Sequence, residues 1–394
     1  MTQELEELKR GVVECIGEDL LESQIASGQK LTIKAGFDPT SPDIHFGHTV
    51  LLHKLRQFQQ YGHHVVFLIG DFTAMIGDPS GRNATRPTLT LEDVRRNAKT
   101  YEQQIYKILD PKKTKVAFNS KWLSSMGLKE VIELTSQYTV ARMLERDDFE
   151  KRYNQQKPIS LHEFLYPILQ GYDSVALKAD VELGGQDQKF NLLMGREYQK
   201  YYKQKPQVVM MMPLLEGLDG VKKMSKSYHN AIGIDENPND MFGKIMSIPD
   251  AIMWNYYDLL SSKSLGEIRQ LKSLVKQGEN PRNIKIMLAK EMVELFHGVE
   301  KGQEAQEFFE TKFTRKAVPD VLPEIILTEE LLRLPWPQRI KQAGLAKSSS
   351  EALRLIKQGA VKLNQEKISL ESDQIPKIGD VLSVGKKIMI RWGG

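Results

Sequence analysis

The feature that most constrains the fold is a run of five apolar residues, 65–69, in which no polar residue intervenes. A strand without polar alternation is buried on both faces, which is typical of the parallel sheets of α/β proteins. A strand at 30–36, a loop at 37–44 and an amphipathic helix at 45–61 come before it. Together these segments predict a βαβ unit, in which a helix joins two parallel strands.

Further apolar segments extend the predicted sheet. Residues 114–118, 179–183 and 207–212 are strand candidates, and they bring the sheet to about five strands. The stretch 130–173 has a helical pattern and is rich in charged and aromatic residues. It is either an insertion that packs on a second subunit or a set of surface helices, and the pattern favours neither interpretation.

The pattern changes after residue 238. Only helix signals follow, to about residue 310, which predicts an all-helical region. Four prolines between residues 319 and 337 predict a linker, because proline lacks a backbone N–H and biases the preceding residue towards an extended conformation. Beyond them, two helices and short strands at 361–363 and 381–384 predict a small α+β module.

Composition narrows the class of protein. A length of 394 residues accommodates two or three domains, and 40% hydrophobic with 27% charged residues is the composition of a globular chain. The single cysteine, Cys15, excludes a disulfide framework and a cysteine-based zinc site within the chain. We find neither a signal peptide nor a run of about 18 apolar residues, so we expect a cytoplasmic protein without a membrane span.

Positive charge is concentrated at the C-terminus. Residues 335–394 contain 11 Lys and Arg against 5 Asp and Glu, a net charge of +6, whereas the whole chain carries +4. A basic module on a nearly neutral body points to a polyanionic partner such as nucleic acid. The alternative is a set of solvated lysines without a partner.

Two histidines, in the sequence His45-Phe46-Gly47-His48, lie where the first loop gives way to a helix. Two imidazoles about one helical turn apart, with Gly47 between them, allow a phosphate to approach the positive end of the helix. The alternative is a helix cap with two histidines that have no catalytic role.

A second motif, residues 223–227, reads Lys-Met-Ser-Lys-Ser and lies in a glycine-containing loop after the last predicted strand. A mobile loop with two lysines can close over a triphosphate and neutralise the charge that develops as pyrophosphate leaves. A solvated lysine loop is the alternative, and the histidine pair at the other end of the same predicted sheet disfavours it.

The two motifs together resemble the HIGH and KMSKS signatures of class I aminoacyl-tRNA synthetases. From about residue 30 to the C-terminus the chain resembles the bacterial-type tyrosyl-tRNA synthetase family, with supporting stretches at 36–40, 77–81, 166–173 and 184–188. The basic tail resembles a small RNA-binding domain that is shared with a ribosomal small-subunit protein.

The resemblance assigns roles to individual residues. It implies a tyrosine pocket formed by Asp173, Tyr166, Gln170, Thr73, Asp78, Gln188 and Gly36. It implies an ATP site formed by Asp38, Gly47, His45, His48, Gly185, Asp187, Met224, Ser225 and Lys226. It implies that charge in the transition state is stabilised by His45, His48, Lys223 and Lys226, with Arg82 and Arg86 as weaker candidates.

The spacing of three pocket residues agrees with these roles. Tyr166, Gln170 and Asp173 are four and three residues apart, so they share one face of a helix; a half-buried polar helix is the alternative. The chain also departs from the family pattern, because Lys34 stands where one branch has a tyrosine and Arg82 where a lysine is common.

The implied reaction is that of a tyrosine–tRNA ligase. L-Tyrosine is activated with ATP to tyrosyl-adenylate and pyrophosphate, and the tyrosyl group is then transferred to the 3′ end of tRNA(Tyr). Mg²⁺ would arrive on the ATP phosphates, since the sequence offers no carboxylate cluster for a protein metal site, and no tightly bound cofactor is expected. The expected partners are L-tyrosine, ATP, tRNA(Tyr) and a second copy in a homodimer.

Two other functions remain as alternatives: a tryptophanyl-tRNA synthetase and a non-catalytic RNA-binding protein. The predicted architecture is α/β, with a Rossmann-like parallel-sheet catalytic domain at 1–228 and a helical insertion near 130–173. An all-helical anticodon-binding domain at 229–318 and a small α+β RNA-binding domain at 335–394 follow it.

Overall fold

The structure is a computed structural model that describes residues 3–40, 42–80, 89–314, 322–364, 366–370, 374–385 and 388–394. Its backbone contacts divide the chain into two compact units, Met1–Gln306 and Glu307–Gly394. The three domain ranges predicted from the sequence, 1–228, 229–318 and 335–394, remain predictions.

The first unit contains a sheet of six strands. In chain order they are β1 (Glu14–Ile16), β2 (Thr32–Phe37), β3 (His64–Ile69), β4 (Thr114–Phe118), β5 (Val181–Gly185) and β6 (Val208–Met212). Their order across the sheet is β1-β6-β5-β2-β3-β4. All neighbours pair in parallel except β1, which runs antiparallel to β6. The predicted Rossmann-like parallel sheet is confirmed.

The predicted number of strands was too low by one. β1 was not predicted because a segment of three residues is too short to show an alternating pattern. It forms only by pairing with β6, where Cys15 lies opposite Met210. The other strands are apolar because the parallel sheet is covered on both faces. All five residues of β6 are buried, as are all of β3 except His64.

The sheet has one switch point, between β2 and β5. From β2 the chain adds β3 and then β4 on one side, whereas β5 and then β6 extend the other side. The connections that leave the carboxyl ends of β2 and β5 therefore diverge and leave a crevice, which is the usual place for a ligand in sheets of this kind.

Helices cover the sheet and continue beyond it. Those up to β6 are α1 (Gln3–Lys9), α2 (Glu18–Ala26), α3 (Phe46–Gln60), α4 (Thr73–Ile76), α5 (Leu91–Ile105), α6 (Ser120–Leu123), α7 (Leu128–Ser136), α8 (Val140–Leu144), α9 (Asp147–Asn154), α10 (Leu165–Leu177) and α11 (Lys189–Tyr201). Those after β6 are α12 (Pro238–Ser247), α13 (Met253–Leu260), α14 (Leu265–Lys276), α15 (Pro281–His297) and α16 (Val299–Thr314). Among the described residues, no helix is both long enough and apolar enough to cross a membrane.

The insertion α7–α9 packs against α10 and α11. Its contact is a cluster of buried apolar residues, with Leu134, Met143 and Phe149 on the insertion and Ile168 and Met194 on the two longer helices. Other large apolar side chains of this region face solvent. They are Leu128, Ile132, Val140, Tyr153 and Leu161, with exposed fractions of 59–83%.

The second unit is a small α+β module, as predicted. It has the strands β7 (Glu324–Ile326), β8 (Val361–Leu363), β9 (Glu366–Lys367), β10 (Val381–Val384) and β11 (Ile388–Gly393), and the helices α17 (Glu329–Arg333), α18 (Trp336–Gln342) and α19 (Ser349–Lys357). The order of strands is β7-β11-β10-β8-β9, and only β7 and β11 pair in parallel. Trp336, Ile340, Leu382 and Trp392 are part of its core.

The linker predicted between residues 319 and 337 is wrong for part of its length. Residues 324–326 form β7 and residues 329–333 form α17. β7 exists because its backbone pairs with β11, with Ile325 opposite Trp392. A partner 67 residues away leaves no local signal, so the prolines dominated the sequence pattern.

Candidate active site

A cavity of about 310 Å³ lies in the crevice at the carboxyl ends of β2, β3 and β5. Most of the predicted substrate residues line it. They are Gly36, Asp38, Gly47, His48, Thr73, Asp78, Tyr166, Gln170, Asp173, Gly185, Asp187 and Gln188. The structure thus brings together residues that are spread over more than 150 positions of the chain.

One face of α10 supplies three of these side chains. Tyr166, Gln170 and Asp173 all line the cavity, so the shared face predicted from their spacing is confirmed. Gln170 Oε1 is buried and has no hydrogen-bond partner among the described residues. A buried acceptor without a partner is costly, and a ligand that donates a hydrogen bond would satisfy it.

Asp173 is 2% exposed and lies between two donors. Trp122 Nε1 donates to Asp173 Oδ1 at 2.8 Å, and Asn119 Nδ2 donates to Oδ2 at 3.3 Å. Burial raises the pKa of Asp173 to about 7, although the charge of Lys34 and the two donors oppose the shift. Trp122 and Asn119 were not identified from the sequence. Their position directly after a parallel strand, at the edge of the sheet where ligands bind, is the signal that could have identified them.

Lys34 lines the cavity and is fully buried. Its ammonium forms an ion pair of 2.9 Å with Glu182 Oε1 and donates to Ser174 Oγ at 2.7 Å. Ser174 Oγ in turn donates to Glu182 Oε2 at 3.0 Å. The charge of Lys34 is therefore compensated by a buried carboxylate, and a hydroxyl accepts a further hydrogen bond from its ammonium group.

Asp38 is held between α4 and α10. Thr73 Oγ1 donates to Asp38 Oδ1 and Tyr166 OH donates to Oδ2, each at 2.9 Å. Gly70 makes this arrangement possible, because a methyl group there would lie 2.1 Å from Asp38 Oδ1 and 2.4 Å from Thr73 Oγ1. Gly70 lines the cavity and was not identified from the sequence.

His45 and His48 cap α3 with their own rings. His45 Nδ1 accepts from the Gly47 backbone N–H at 3.1 Å, and His48 Nδ1 accepts from the His45 N–H at 3.2 Å. Burial lowers the pKa of His45 to about 3 and that of His48 to about 4. Both rings are therefore neutral near pH 7, and since Nδ1 is an acceptor in each, Nε2 carries the hydrogen and is a donor. Gly47 must lack a side chain, because a Cβ would lie 2.8 Å from the His45 ring.

The signature loop, residues 223–227, contains two lysines that form ion pairs with carboxylates in this conformation. Lys226 Nζ lies 2.7 Å from Asp43 Oδ2, and Lys223 Nζ lies 3.4 Å from Asp187 Oδ2. The loop is anchored by Asn230, whose Oδ1 accepts from the Ser225 N–H at 2.8 Å. Both lysine side chains are more than 40% exposed.

Some predicted residues do not line the 310 Å³ cavity. Those are His45, Lys223, Met224, Ser225 and Lys226. His45 and Lys226 instead line a neighbouring cavity of about 540 Å³ together with Asp43. The lysines of the loop 223–227 are paired with Asp187 and Asp43 in this conformation. Arg82 and Arg86 lie outside the described residues. Within the described part of the chain, no three His, Cys, Asp or Glu side chains form a group that could hold a metal ion.

Two families of known proteins match this chain. Residues 26–314 match the family described as "tRNA synthetases class I (W and Y)", and residues 338–382 match the S4 domain. The chain therefore belongs to the class I aminoacyl-tRNA synthetases of the tryptophan and tyrosine type, and within them to the bacterial tyrosyl-tRNA synthetase family.

The second step of that assignment rests on full-length relatives. Tyrosine–tRNA ligase of Haemophilus influenzae is 57% identical over 387 residues, which are 98% of this chain and 96% of the relative. Tyrosine–tRNA ligase 2 of Vibrio cholerae is 58% identical over 98% of this chain and 97% of its own length. These relatives support the tyrosine assignment and neither the tryptophan enzyme nor a non-catalytic RNA-binding protein.

Solved structures agree on the fold. A C-terminally truncated mitochondrial tyrosyl-tRNA synthetase of Aspergillus nidulans has a TM-score of 0.67 at 23% identity, covering 79% of this chain and 94% of that one. Tyrosyl-tRNA synthetase of Archaeoglobus fulgidus, solved with L-tyrosine, has a TM-score of 0.63 at 22% identity, covering 77% of this chain and 99% of that one.

Proposed function

We propose that this chain activates L-tyrosine with ATP and transfers the tyrosyl group to tRNA(Tyr). The observation that carries the proposal is Asp173, a buried carboxylate that lines a cavity whose walls provide further polar groups. A phenol that enters the cavity donates a hydrogen bond to Asp173, and a phenylalanine ring leaves that carboxylate desolvated and without its ligand. The same argument disfavours tryptophan, whose larger ring places its N–H elsewhere.

The polar end of the amino acid lies towards the opposite side of the cavity. Its ammonium group is bound by Asp78, Gln170 and the Tyr166 hydroxyl, with Gln188 beside them, and Thr73 and Gly36 complete the walls. Asp78 already accepts from Gln188 Nε2 at 2.7 Å, and both residues line the cavity. A carboxylate and an amide oxygen are suited to an ammonium group because both accept hydrogen bonds.

ATP occupies the side of the cavity near α3. Asp38, Gly185 and Asp187 bind its ribose and adjoining groups, while Gly47 allows the phosphates to approach the end of the helix. Met224, Ser225 and Lys226 belong to the loop that closes over the nucleotide. ATP arrives with Mg²⁺ on its phosphates, where the ion neutralises part of their charge.

The first step is an in-line attack of the tyrosine carboxylate on the α-phosphorus, which breaks the bond to pyrophosphate. The nucleophile is already ionised, so no protein base is needed. The protein contributes positioning and charge stabilisation. The Nε2–H groups of His45 and His48 donate hydrogen bonds to the phosphates, and Lys223 and Lys226 exchange their present carboxylate partners for the leaving pyrophosphate. Arg82 and Arg86 remain weaker candidates for the same role.

The second step requires tRNA. The S4 match at residues 338–382 and the net charge of +6 over 335–394 support a role of the C-terminal module in binding RNA phosphates. The helical region 229–318 is proposed to contact the anticodon arm. Such binding weakens as salt rises, since each phosphate contact releases counterions. A cytoplasmic location agrees with a role in translation.

We also propose that the chain is a homodimer and that the insertion α7–α9 forms the contact. Four large apolar side chains of α7–α9, those of Leu128, Ile132, Val140 and Tyr153, are 59–76% exposed and are available for burial against a second copy. Light scattering after gel filtration is expected to report about twice the chain mass. A species of 45.0 kDa would contradict the dimer.

Exchange of labelled pyrophosphate into ATP tests the first step directly. Tyrosine, tryptophan and phenylalanine are assayed side by side with the full chain. Exchange that depends on tyrosine alone is expected. Exchange with tryptophan would overturn the specificity, and exchange with none of the three would overturn the proposed activation reaction.

A further inference from the structure

Four side chains, two of which line the cavity, form a closed ring of hydrogen bonds. Arg146 donates through one terminal nitrogen to Asp78 Oδ1 at 3.4 Å and through the other to Asn191 Oδ1 at 2.9 Å. Asn191 Nδ2 donates to Gln188 Oε1 at 2.8 Å. Gln188 Nε2 donates to Asp78 Oδ2 at 2.7 Å, which closes the ring.

The ring determines which way both amides point. Arg146 has only donors, so it requires the oxygen of Asn191, and the Asn191 nitrogen then requires the oxygen of Gln188. The Gln188 nitrogen is thereby directed at Asp78. Without Arg146, the Asn191 amide loses the donor that fixes it and can present its oxygen to the Gln188 oxygen, and the Asp78 carboxylate alone is left to orient Gln188.

Arg146 is itself held rigidly. It is 5% exposed, and its Nε donates to Asp148 Oδ1 at 2.6 Å. Its guanidinium carbon lies 5.3 Å from the ring centre of Phe149 and 5.6 Å from that of Phe190. A guanidinium that is packed between two aromatic rings and paired with a carboxylate has little freedom to move.

Arg146 does not line the 310 Å³ cavity, whereas Asp78 and Gln188 do. It immediately precedes α9 and so belongs to the helical insertion. We propose that Arg146 is a positioning residue for tyrosine binding, which sets the orientation of Asp78 and Gln188 towards the substrate ammonium group. This inference rests on the proposed function, because it concerns the side of the pocket that receives the amino group.

The proposal predicts a selective effect. Loss of the ring disturbs the groups that contact the ammonium, whereas Asp173 and the α3 end of the ATP site keep their own hydrogen bonds. Tyrosine should therefore bind less well, and ATP and the phenol end of the ligand should be unaffected. Because the ammonium is bound equally in the ground state and the transition state, KM for tyrosine rises while kcat changes little.

Three variants of the full chain test this. Arg146→Lys keeps the charge and loses the planar fork, and Asn191→Leu opens the ring but leaves the Arg146–Asp148 ion pair in place. Arg152→Met is the matched control, since Arg152 is also a buried arginine of the insertion, 1% exposed, but it pairs with Glu163 outside the ring. The readouts are KM for tyrosine and ATP in pyrophosphate exchange, and the inhibition constant of 3-(4-hydroxyphenyl)propionate, which lacks the amino group.

For Arg146→Lys we expect KM for tyrosine to rise about tenfold, the loss associated with one hydrogen-bonded contact to a charged group. KM for ATP and the inhibition constant of the amine-free analogue should stay within about twofold, and Asn191→Leu should follow the same pattern. Arg152→Met should shift neither ligand selectively.

Two results would overturn the positioning role. One is a KM for tyrosine that stays within about twofold of the unmodified chain in both ring variants. The other is an equal loss for tyrosine and the analogue, which would mean general damage to the pocket. Failure of the proposed function would look different, because the unmodified chain itself would then show no tyrosine-dependent exchange.

Discussion

The indole N–H of Trp122 donates to Asp173 Oδ1 at 2.8 Å, from a residue that lies 51 positions earlier in the chain. With Asn119 on the other carboxylate oxygen, both oxygens of Asp173 have a donor from the protein. The carboxylate is therefore fixed in orientation while its remaining lone pairs stay available to the cavity that it lines. The pocket for the phenol depends on this arrangement.

Replacement of Asp173 by asparagine is expected to reduce the preference for tyrosine over phenylalanine by about 10-fold to 100-fold. Asparagine has one acceptor and one donor group, so its nitrogen must face Trp122 or Asn119, which are donors themselves. The ratio of kcat/KM for the two amino acids in pyrophosphate exchange measures the effect, and KM for ATP should stay nearly constant. Equal losses for tyrosine and ATP would remove Asp173 from the tyrosine pocket.

Tyrosine binding should depend on pH through Asp173. Its pKa of about 7 means that the carboxyl group gains a proton as the pH falls through 7, and the protonated form is a poorer acceptor for a phenol. We expect kcat/KM for tyrosine to be level above that pH and to fall by up to about tenfold per unit below it. His45 and His48 add nothing between pH 5.5 and 8.5, because their pKa values of about 3 and about 4 keep them neutral there. An acid limb that persisted in Asp173→Asn would contradict this assignment.

The buried pair of Lys34 and Glu182 should matter for stability. Lys34→Met leaves Glu182 charged and 1% exposed without its partner, and we expect a loss of about 3–5 kcal/mol in the free energy of unfolding. The double variant Lys34→Met/Glu182→Gln should recover part of that loss. Urea unfolding of the full chain, followed by circular dichroism, gives the measurement.

The control for this pair is Lys200→Met, which breaks the exposed ion pair of Lys200 and Glu197 on α11. Exposed pairs of this kind contribute at most about 0.5 kcal/mol. If Lys34→Met were no more destabilising than Lys200→Met, the buried pair would not contribute to the stability of the fold as expected.

Lys226 should affect the rate rather than stability. Its side chain is 43% exposed and its partner Asp43 is 58% exposed, so loss of the pair costs less than about 1 kcal/mol. Lys226→Met is nevertheless expected to lower kcat for pyrophosphate exchange by about 100-fold or more, because one charge that stabilises the leaving pyrophosphate is lost.

Lys222→Met is the control for the signature loop, since Lys222 lies beside the motif and contacts the ring of Tyr228. It should leave kcat within about twofold of the unmodified chain. An equal reduction of kcat in both variants would indicate a general effect of positive charge in the loop and would argue against a specific role of Lys226.

Several local features could be predicted from the sequence because they depend on spacing alone. The four- and three-residue intervals among Tyr166, Gln170 and Asp173 place them on one helix face wherever that helix lies. The apolar run of β3 requires a strand that is covered on both sides. The motifs at 45–48 and 223–227 are recognisable as continuous stretches for the same reason.

Other features had no local signal. β1 and β7 become strands only through partners in distant parts of the chain, and sequence patterns do not reveal such partners. The rings of His45 and His48 could be placed at a helix start, but their neutral state follows from burial, which the sequence does not show.

The sequence by itself determined the class of fold and the parallel sheet, because periodicity and motif spacing are properties of the covalent chain, and its resemblance to the tyrosyl-tRNA synthetase family identified most side chains around the cavity. The tertiary structure alone decided how those side chains are held. Trp122 reaches Asp173, Lys34 reaches Glu182 and Arg146 reaches Asp78 only after separate segments have packed together. Hydrogen bonds act over about 3 Å, so the partner of a buried polar group is set by packing and not by its position in the sequence.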